Sequence, residues 1–320
     1  MSAVPSPAAA PAAAPALGDL DDGRPRPVQE RAVVLANRPA GAYRHLVLAA
    51  PGAGPAALPG QFVAVAVGAD PGEPTATLLR RAFSLHRAST AGPDGPTLEI
   101  VVAAHGPGST WVTGRRPGDE LDVVGPLGRP FPPPDPGSAA VLVGGGYGSA
   151  PMGWWGRVLR GRGVRVSAVL GAGDVDRLFG VDDAAEIADP LLVTTDDGSA
   201  GARGRVTDVL GDLLTASGPG AHVYACGPMA MLRAVTDLAL SHGARPWCTV
   251  EESMACGVGV CMTCVLPVRW SDGLTRMTRT CVEGPTLGGE AVRWDAVRPG
   301  GGSAVPADCL GAPKTGGGHP

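Results

Sequence analysis

Ala139-Ala140-Val141-Leu142-Val143-Gly144-Gly145-Gly146-Tyr147-Gly148 carries an unbroken apolar run straight into a glycine-rich turn. A run with no polar face predicts a strand covered on both sides, as in a parallel sheet. A helix-compatible stretch follows at 152–159, then apolar strands at 164–170, 191–194 and 222–225, with helical pieces at 206–214 and 229–241. Strand alternating with helix predicts a Rossmann-like parallel α/β unit over residues 138–245.

Outward from that unit the pattern changes on both sides. Residues 28–137 hold short apolar runs at 44–49, 61–67 and 98–103, separated by Gly/Pro-rich breaks. They predict an antiparallel barrel or sandwich without an amphipathic helix. Residues 246–297 form a third unit, with a strand at 264–270 and a turn at Ser271-Asp272-Gly273. It is too small to bury much apolar surface alone, so a metal or a disulfide is expected to hold it together. The 49 glycines and 33 prolines are partly explained by the ends, 1–27 and 298–320, which predict disordered tails because they lack apolar residues to offset ordering entropy.

A net charge of −4 and the lack of a basic cluster argue against nucleic acid. There is no basic start followed by an apolar core and no apolar run of about 18 residues, so neither a signal peptide nor a membrane span is expected. The expected compartment is the cytoplasm, where clustered cysteines argue for metal rather than disulfides.

Four of the seven cysteines are spaced Cys256-x4-Cys261-x2-Cys264-x16-Cys281. This is the plant-type [2Fe–2S] pattern. Thiolates that converge on a small cluster need a loop that curls, and Gly257 and Gly259 permit the curl. Backbone N–H groups in such a loop also stabilise the cluster's negative charge. Zinc and unligated core thiols are the alternatives, although zinc ligands tend to come as two short pairs. Cys248 reads as a small buried residue and Cys309 as part of the tail.

The Gly144, Gly145, Gly146 and Gly148 turn allows a dinucleotide's phosphates to approach the backbone and a helix N-terminus. Its spacing departs from the Rossmann fingerprint, and tight strand–helix packing alone would explain it. A second loop, Cys226-Gly227-Pro228, also ends a strand and opens a helix. Two such loops at strand ends predict a shared nucleotide cleft, with Cys226 near a reacting nicotinamide. The alternative is a small buried cysteine. Asp174 and Asp176 suit a free ribose hydroxyl and Arg177 a 2′-phosphate; the acidic pair favours NAD. In the first unit, Arg81-Ala82-Phe83-Ser84 offers a guanidinium and a hydroxyl to a diphosphate or flavin edge, and Gly106, Gly108 and Ser109 form a close-approach loop. By themselves such residues are ordinary surface features; their order gives them meaning.

That order, continued by Gly125-Pro126-Leu127-Gly128, the Gly144 turn, Cys226-Gly227-Pro228 and the cysteine loop, resembles the ferredoxin-reductase family with an appended C-terminal cluster. Thr195-Asp196-Asp197-Gly198-Ser199 and Glu251-Glu252-Ser253-Met254-Ala255-Cys256 are similar to dihydroorotate dehydrogenase B electron-transfer subunits, and the resemblance spans about residues 28–290. It implies FAD on the barrel, gripped by Arg81 and Ser84 with Gly108 and Ser109 at its pyrophosphate. It also implies NAD(H) between the Gly144 turn and the Cys226 loop. A partner dehydrogenase subunit containing FMN, in a heterotetramer, would pass single electrons through [2Fe–2S] and FAD to NAD+. Phe83, Ser109 and Tyr147 depart from the residues usual in the family. The rivals are a reductase component of an oxygenase, hydrogenase or sulfide dehydrogenase and, in another class, a zinc-stabilised binding module.

Overall fold

The computed structural model describes residues 26–68, 79–298 and 302–312. The expected tails fall outside the described residues over 1–25 and 313–320. The first unit is a closed antiparallel barrel of β1 (Val28–Ala40), β2 (Tyr43–Ala49), β3 (Phe62–Val65), β4 (Arg81–Ser89), β5 (Thr97–Val102) and β6 (Glu120–Leu127). The strands run in the order β1-β2-β5-β4-β3-β6, and β6 returns to β1. In β5, Leu98, Ile100 and Val102 alternate into the core with no exposure, the period-two pattern of a strand with one buried face. Closure leaves no unpaired edge.

A helix, α1 (Pro107–Thr113), stands between β5 and β6, where the sequence predicts none. Its seven residues bury only Gly108 and Val112, too few for an amphipathic signature. Local chemistry starts it: Pro107 needs no N–H partner, and Ser109 Oγ accepts from the backbone N–H groups of His105 and Gly106 at 2.9 and 3.1 Å.

The remaining strands are β7 (Ala140–Gly145), β8 (Val166–Ala172), β9 (Leu191–Thr195), β10 (Ala202–Arg203), β11 (His222–Cys226), β12 (Arg245–Thr249), β13 (Val265–Arg269), β14 (Thr275–Arg279) and β15 (Thr286–Gly288). All but the β13-β14 hairpin form one sheet, β10-β9-β8-β7-β11-β12-β15, parallel except for its last strand. It packs against α2 (Ala150–Gly161), α4 (Val206–Ser217) and α5 (Met229–Ser241), with the short α3 (Val181–Ala185) beside α2. In α5, Leu232, Val235, Thr236 and Ala239 are buried at helical spacing. Leu142, at the middle of β7, has no exposure. Truncating it (Leu142→Ala) is expected to cost about 2–5 kcal/mol and lower the thermal midpoint by roughly 5–15 °C; an unchanged midpoint would contradict the placement.

The third unit shares the second unit's sheet. β12 runs across the boundary expected at residue 246, and β15 pairs with β12. Leu266, Val268, Leu287, Val292 and Trp294 belong to the same buried cluster as Val141, Leu210 and Val223. Some fifty residues cannot close a core of their own, so this segment borrows one. The expected C-terminal tail also differs over residues 302–312. Arg293 Nη1 bonds Asp308 Oδ2 at 2.6 Å, Cys309 pairs with Thr275 on β14, and Cys309 is buried.

Candidate functional site

β7 and β11 are neighbours with Gly144 opposite Cys226, so the two glycine-containing loops leave the sheet side by side. The chain departs in opposite directions across the sheet from this point, where parallel sheets form ligand crevices. A side chain at Gly148 would meet the Cys226 carbonyl and Gly227 Cα at 2.7 Å, which explains why the loops need glycine to touch. Gly145 lies against Pro228 and Met231, while Gly144 is buried behind the turn on Ser149 and does not reach the open space.

The open end of the barrel faces these loops, and together they enclose a cleft of about 1050 Å3. Arg81, Ala82, Phe83, Ser84, Gly106, Gly108 and Ser109 line one part of it, and Gly145, Gly146, Gly148, Cys226, Gly227 and Pro228 the other. The two arginines of the first motif separate. Arg80 is tied to the barrel through Asp122 Oδ1 at 3.0 Å and the Asp122 carbonyl at 2.9 Å. Arg81 turns to the cleft and packs so close to Gly108 that a Cβ there would meet its Nε at 2.8 Å. Ser109 lines the cleft, but its hydroxyl is engaged in starting α1.

Aromatic side chains also line the cleft. Tyr147 OH donates to Glu251 Oε1 at 2.6 Å, and its ring meets Tyr43 edge-on at 5.8 Å. Burial, reinforced by Glu251, raises the Tyr147 phenol well above its ordinary range, so it remains a donor. Burial likewise pushes the Cys226 thiol up to about 12, which keeps it neutral at physiological pH.

The cysteine loop packs against the barrel beside the cleft. Cys256 Sγ accepts N–H bonds from Val258, Val260 and Cys261 at 3.4–3.5 Å, as the sulfur of an anionic centre requires. Gly257 and Gly259 have φ of 73° and 83°, the left-handed curl that a Cβ would oppose. Arg279 holds the loop from outside through the Gly259 carbonyl at 3.1 Å. Thr263 Oγ1 donates to Cys261 Sγ at 3.0 Å and helps to bring that thiol down to about 6. Cys264 and Cys281 are buried together in one apolar cluster, and each lowers or raises the other's thiol, Cys264 falling to about 6 and Cys281 rising. The lowered Cys261 and Cys264 thiols, the convergent N–H donors on Cys256 and the loop curl fit an iron–sulfur cluster. Cys281 stands two residues beyond β14, on the turn that follows it.

Phe62 and Ala82 join the two places. Both line the cleft, and both pack in one apolar cluster with Cys264 and Cys281.

The model of the iron–sulfur cluster binding domain of dihydroorotate dehydrogenase B matches residues 251–293. The dihydroorotate dehydrogenase B (NAD(+)) electron transfer subunit of Bacillus caldolyticus is 41% identical over 247 residues, covering 73% of this chain and 86% of the relative. The chain belongs to the family of dihydroorotate dehydrogenase B electron-transfer subunits. A more distant member, from Desulforamulus reducens, is 32% identical over 239 residues, with 75% of this chain and 88% of that protein covered. Among solved structures, a chain of the NADH-dependent reduced ferredoxin–NADP oxidoreductase superposes with a TM-score of 0.70 at 30% identity, covering 83% of this chain and 91% of that one. Phthalate dioxygenase reductase shares the fold, with a TM-score of 0.55 at 20% identity, over 75% of this chain and 86% of its own.

For this member of the electron-transfer subunit family, several cleft residues carried no readable role in the sequence. Tyr43 and His105 are single aromatics without a motif, and Glu251 meets Tyr147 from 104 residues away. Glu251 and Met254 belong to a stretch that signals the family, yet only the folded chain shows that both line the cleft. The contact between the two glycine loops is directly testable. Gly148→Val must force them apart, and is expected to raise the KM for NADH by about tenfold or more while bound flavin is retained. An unchanged KM would show that NADH does not use these loops.

Proposed function

We propose that this chain takes electrons from an FMN-containing catalytic subunit that oxidises dihydroorotate, in pyrimidine biosynthesis, and delivers them to NAD+. The barrel (28–137) binds FAD, the α/β unit from 138 binds NAD(H), and Cys256, Cys261, Cys264 and Cys281 hold a [2Fe–2S] cluster. When bound, the cluster supplies single-electron transfer and the flavin converts single electrons to hydride chemistry. The observation that carries this reading is the wall of Phe62 and Ala82, which touches both the cleft and the buried ligand cysteines.

The protein's own residues orient and insulate. Arg81 offers its guanidinium to the flavin diphosphate, beside the backbone of Gly106 and Gly108, and Ser84 offers a hydroxyl from β4. Gly145, Gly146, Gly148, Gly227 and Pro228 leave room for the nicotinamide nucleotide, with the neutral Cys226 thiol as a small packing surface. Gly144 supports the turn from behind. The acidic pair Asp174 and Asp176 supports NAD over NADP, and Asp174 bonds the Nη1 and backbone N–H of Arg177. On the outer side of the cysteine loop, Val258, Val260 and Met262 are exposed, with Val260 79% accessible; an apolar surface beside the ligands suits a docked partner.

We place the protein in the cytoplasm. None of the seven cysteines is in a disulfide, as a reducing compartment favours, and among the described residues no helix is long and apolar enough to cross a membrane.

The test separates the two half-reactions. The chain alone is expected to reduce an artificial acceptor with NADH, and dihydroorotate-dependent NAD+ reduction is expected only with the partner subunit present. NADH oxidation supported by an oxygenase component, with none coupled to dihydroorotate, would overturn the assignment in favour of an oxygenase reductase.

A further inference from the structure

Away from the cleft, the barrel presents a second group of ligand-type side chains to the α/β unit. His45 on β2, His86 on β4 and Glu99 on β5 each bring one ligand atom within 4.8 Å of the other two. Their placement follows from the barrel register. His45 lies opposite Val101, so Glu99, two residues along, shares its face; His45 Nε2 meets Glu99 Oε2 at 2.7 Å. His86 falls at an irregularity in the β4–β5 ladder, between Leu85 and Arg87, where a bulge re-aims a side chain.

The second observation is the setting of His86. Its Nδ1 is 2.6 Å from the Ala150 carbonyl, which only accepts, so Nδ1 carries the proton. Nε2 is then left with a lone pair, yet it faces Asp183 Oδ2 at 3.5 Å. Asp183 is fixed in this direction because Arg87 and Arg157 both bond its other oxygen, Oδ1. His86 Nε2 and Asp183 Oδ2 thus meet across the seam between the two units, an arrangement that a cation between them would stabilise.

We propose that His45, His86 and Glu99 form a binding site for a zinc-class divalent ion at the seam between barrel and α/β unit, with Asp183 as the oxygen donor from the opposite unit. Two imidazoles with carboxylate select a borderline ion of this class over calcium or magnesium. Donors around zinc lie about 3.3 Å apart, so modest side-chain rotation closes the set of His45, His86 and Glu99. The Ala150 carbonyl on Nδ1 is the outer hydrogen bond that orients a metal-binding histidine. The charged groups around the site include the carboxylates of Glu99, Asp183 and Glu186 against the guanidiniums of Arg87 and Arg157, so a cation is not repelled. His45, Glu99, His86 and Asp183 do not line the cofactor cleft, so the ion would clamp the two units together rather than take part in hydride transfer.

The test uses the purified protein with its iron–sulfur cluster and flavin intact, kept anaerobic, and titrated with Zn2+. One zinc per chain is expected, with X-ray absorption showing only nitrogen and oxygen neighbours at about 2.0–2.1 Å. His45→Gln and Glu99→Gln are expected to weaken binding by about 100-fold or more, with iron, sulfide and flavin contents unchanged. Zinc should also raise the thermal midpoint of the parent protein but not of these variants. Absence of stoichiometric uptake, sulfur neighbours around the zinc, or unchanged affinity in both variants would each overturn the proposal. Should a variant fail to fold, the neighbours seen in the parent protein decide the matter.

Discussion

Cys281→Ser is expected to abolish dihydroorotate-driven reduction of NAD+, by at least about 100-fold, while the same protein still reduces an artificial acceptor with NADH. The split follows from where Cys281 sits. It is 2% exposed and packs with Cys264 on the barrel through Phe62 and Leu127. Its loss removes a thiolate that no neighbour replaces, since Cys309, the nearest cysteine in sequence outside the four, is buried on the far end of β14 against Thr275. Iron and acid-labile sulfide should fall together, and any remaining cluster should have an altered potential. The flavin cleft draws its other walls from the barrel and from the β7 and β11 loops, so flavin content should hold. Equal loss of both activities would mean that the cluster loop is needed to build the flavin site and that the two functions are not separable.

Arg81→Ala is expected to raise the FAD dissociation constant by about 100-fold or more. Each charge-assisted hydrogen bond to a diphosphate contributes about 1.5–3 kcal/mol, and a guanidinium makes two at once. Arg80 cannot substitute, because its guanidinium is already bonded to Asp122. Arg80→Ala is therefore the informative control: it should lower stability and leave FAD affinity nearly unchanged. Equilibrium dialysis or flavin fluorescence on dilution measures both. If Arg80→Ala released FAD while Arg81→Ala did not, the roles given to the two residues would be reversed.

Much of this architecture is readable before folding because its signals are local. β7 and β11 are buried along almost their whole length, which writes itself into the sequence as continuous apolar runs. The helix Met229–Ser241 announces its buried face through regular spacing. The cysteine loop is legible for a similar reason: three sulfurs that must meet on one loop fix their own spacing.

What was not legible depends on contacts between distant segments. β15 is three residues long and owes its existence to pairing with β12, some forty residues earlier. The helix at Pro107–Thr113 buries too little to leave a pattern. Residues 302–312 read as a tail because Asp308 and Cys309 gain their anchors only from Arg293 and Thr275. Within the site, the glycine turns and the Arg81 motif stand out by composition. Tyr43, Tyr147 and Glu251 acquire a shared place only when the β1–β2 hairpin, the β7 turn and the segment after β12 converge. The pair of histidines beside Glu99 is hidden for the same reason, since three separate strands supply it.

The most direct measurement is the content and reducibility of the cluster in anaerobically purified protein. The account predicts about two irons and two acid-labile sulfides per chain together with one flavin, and a cluster signal that appears in electron paramagnetic resonance when NADH is added. Zinc in place of iron, iron without sulfide, or a cluster that dithionite reduces but NADH does not, would contradict it.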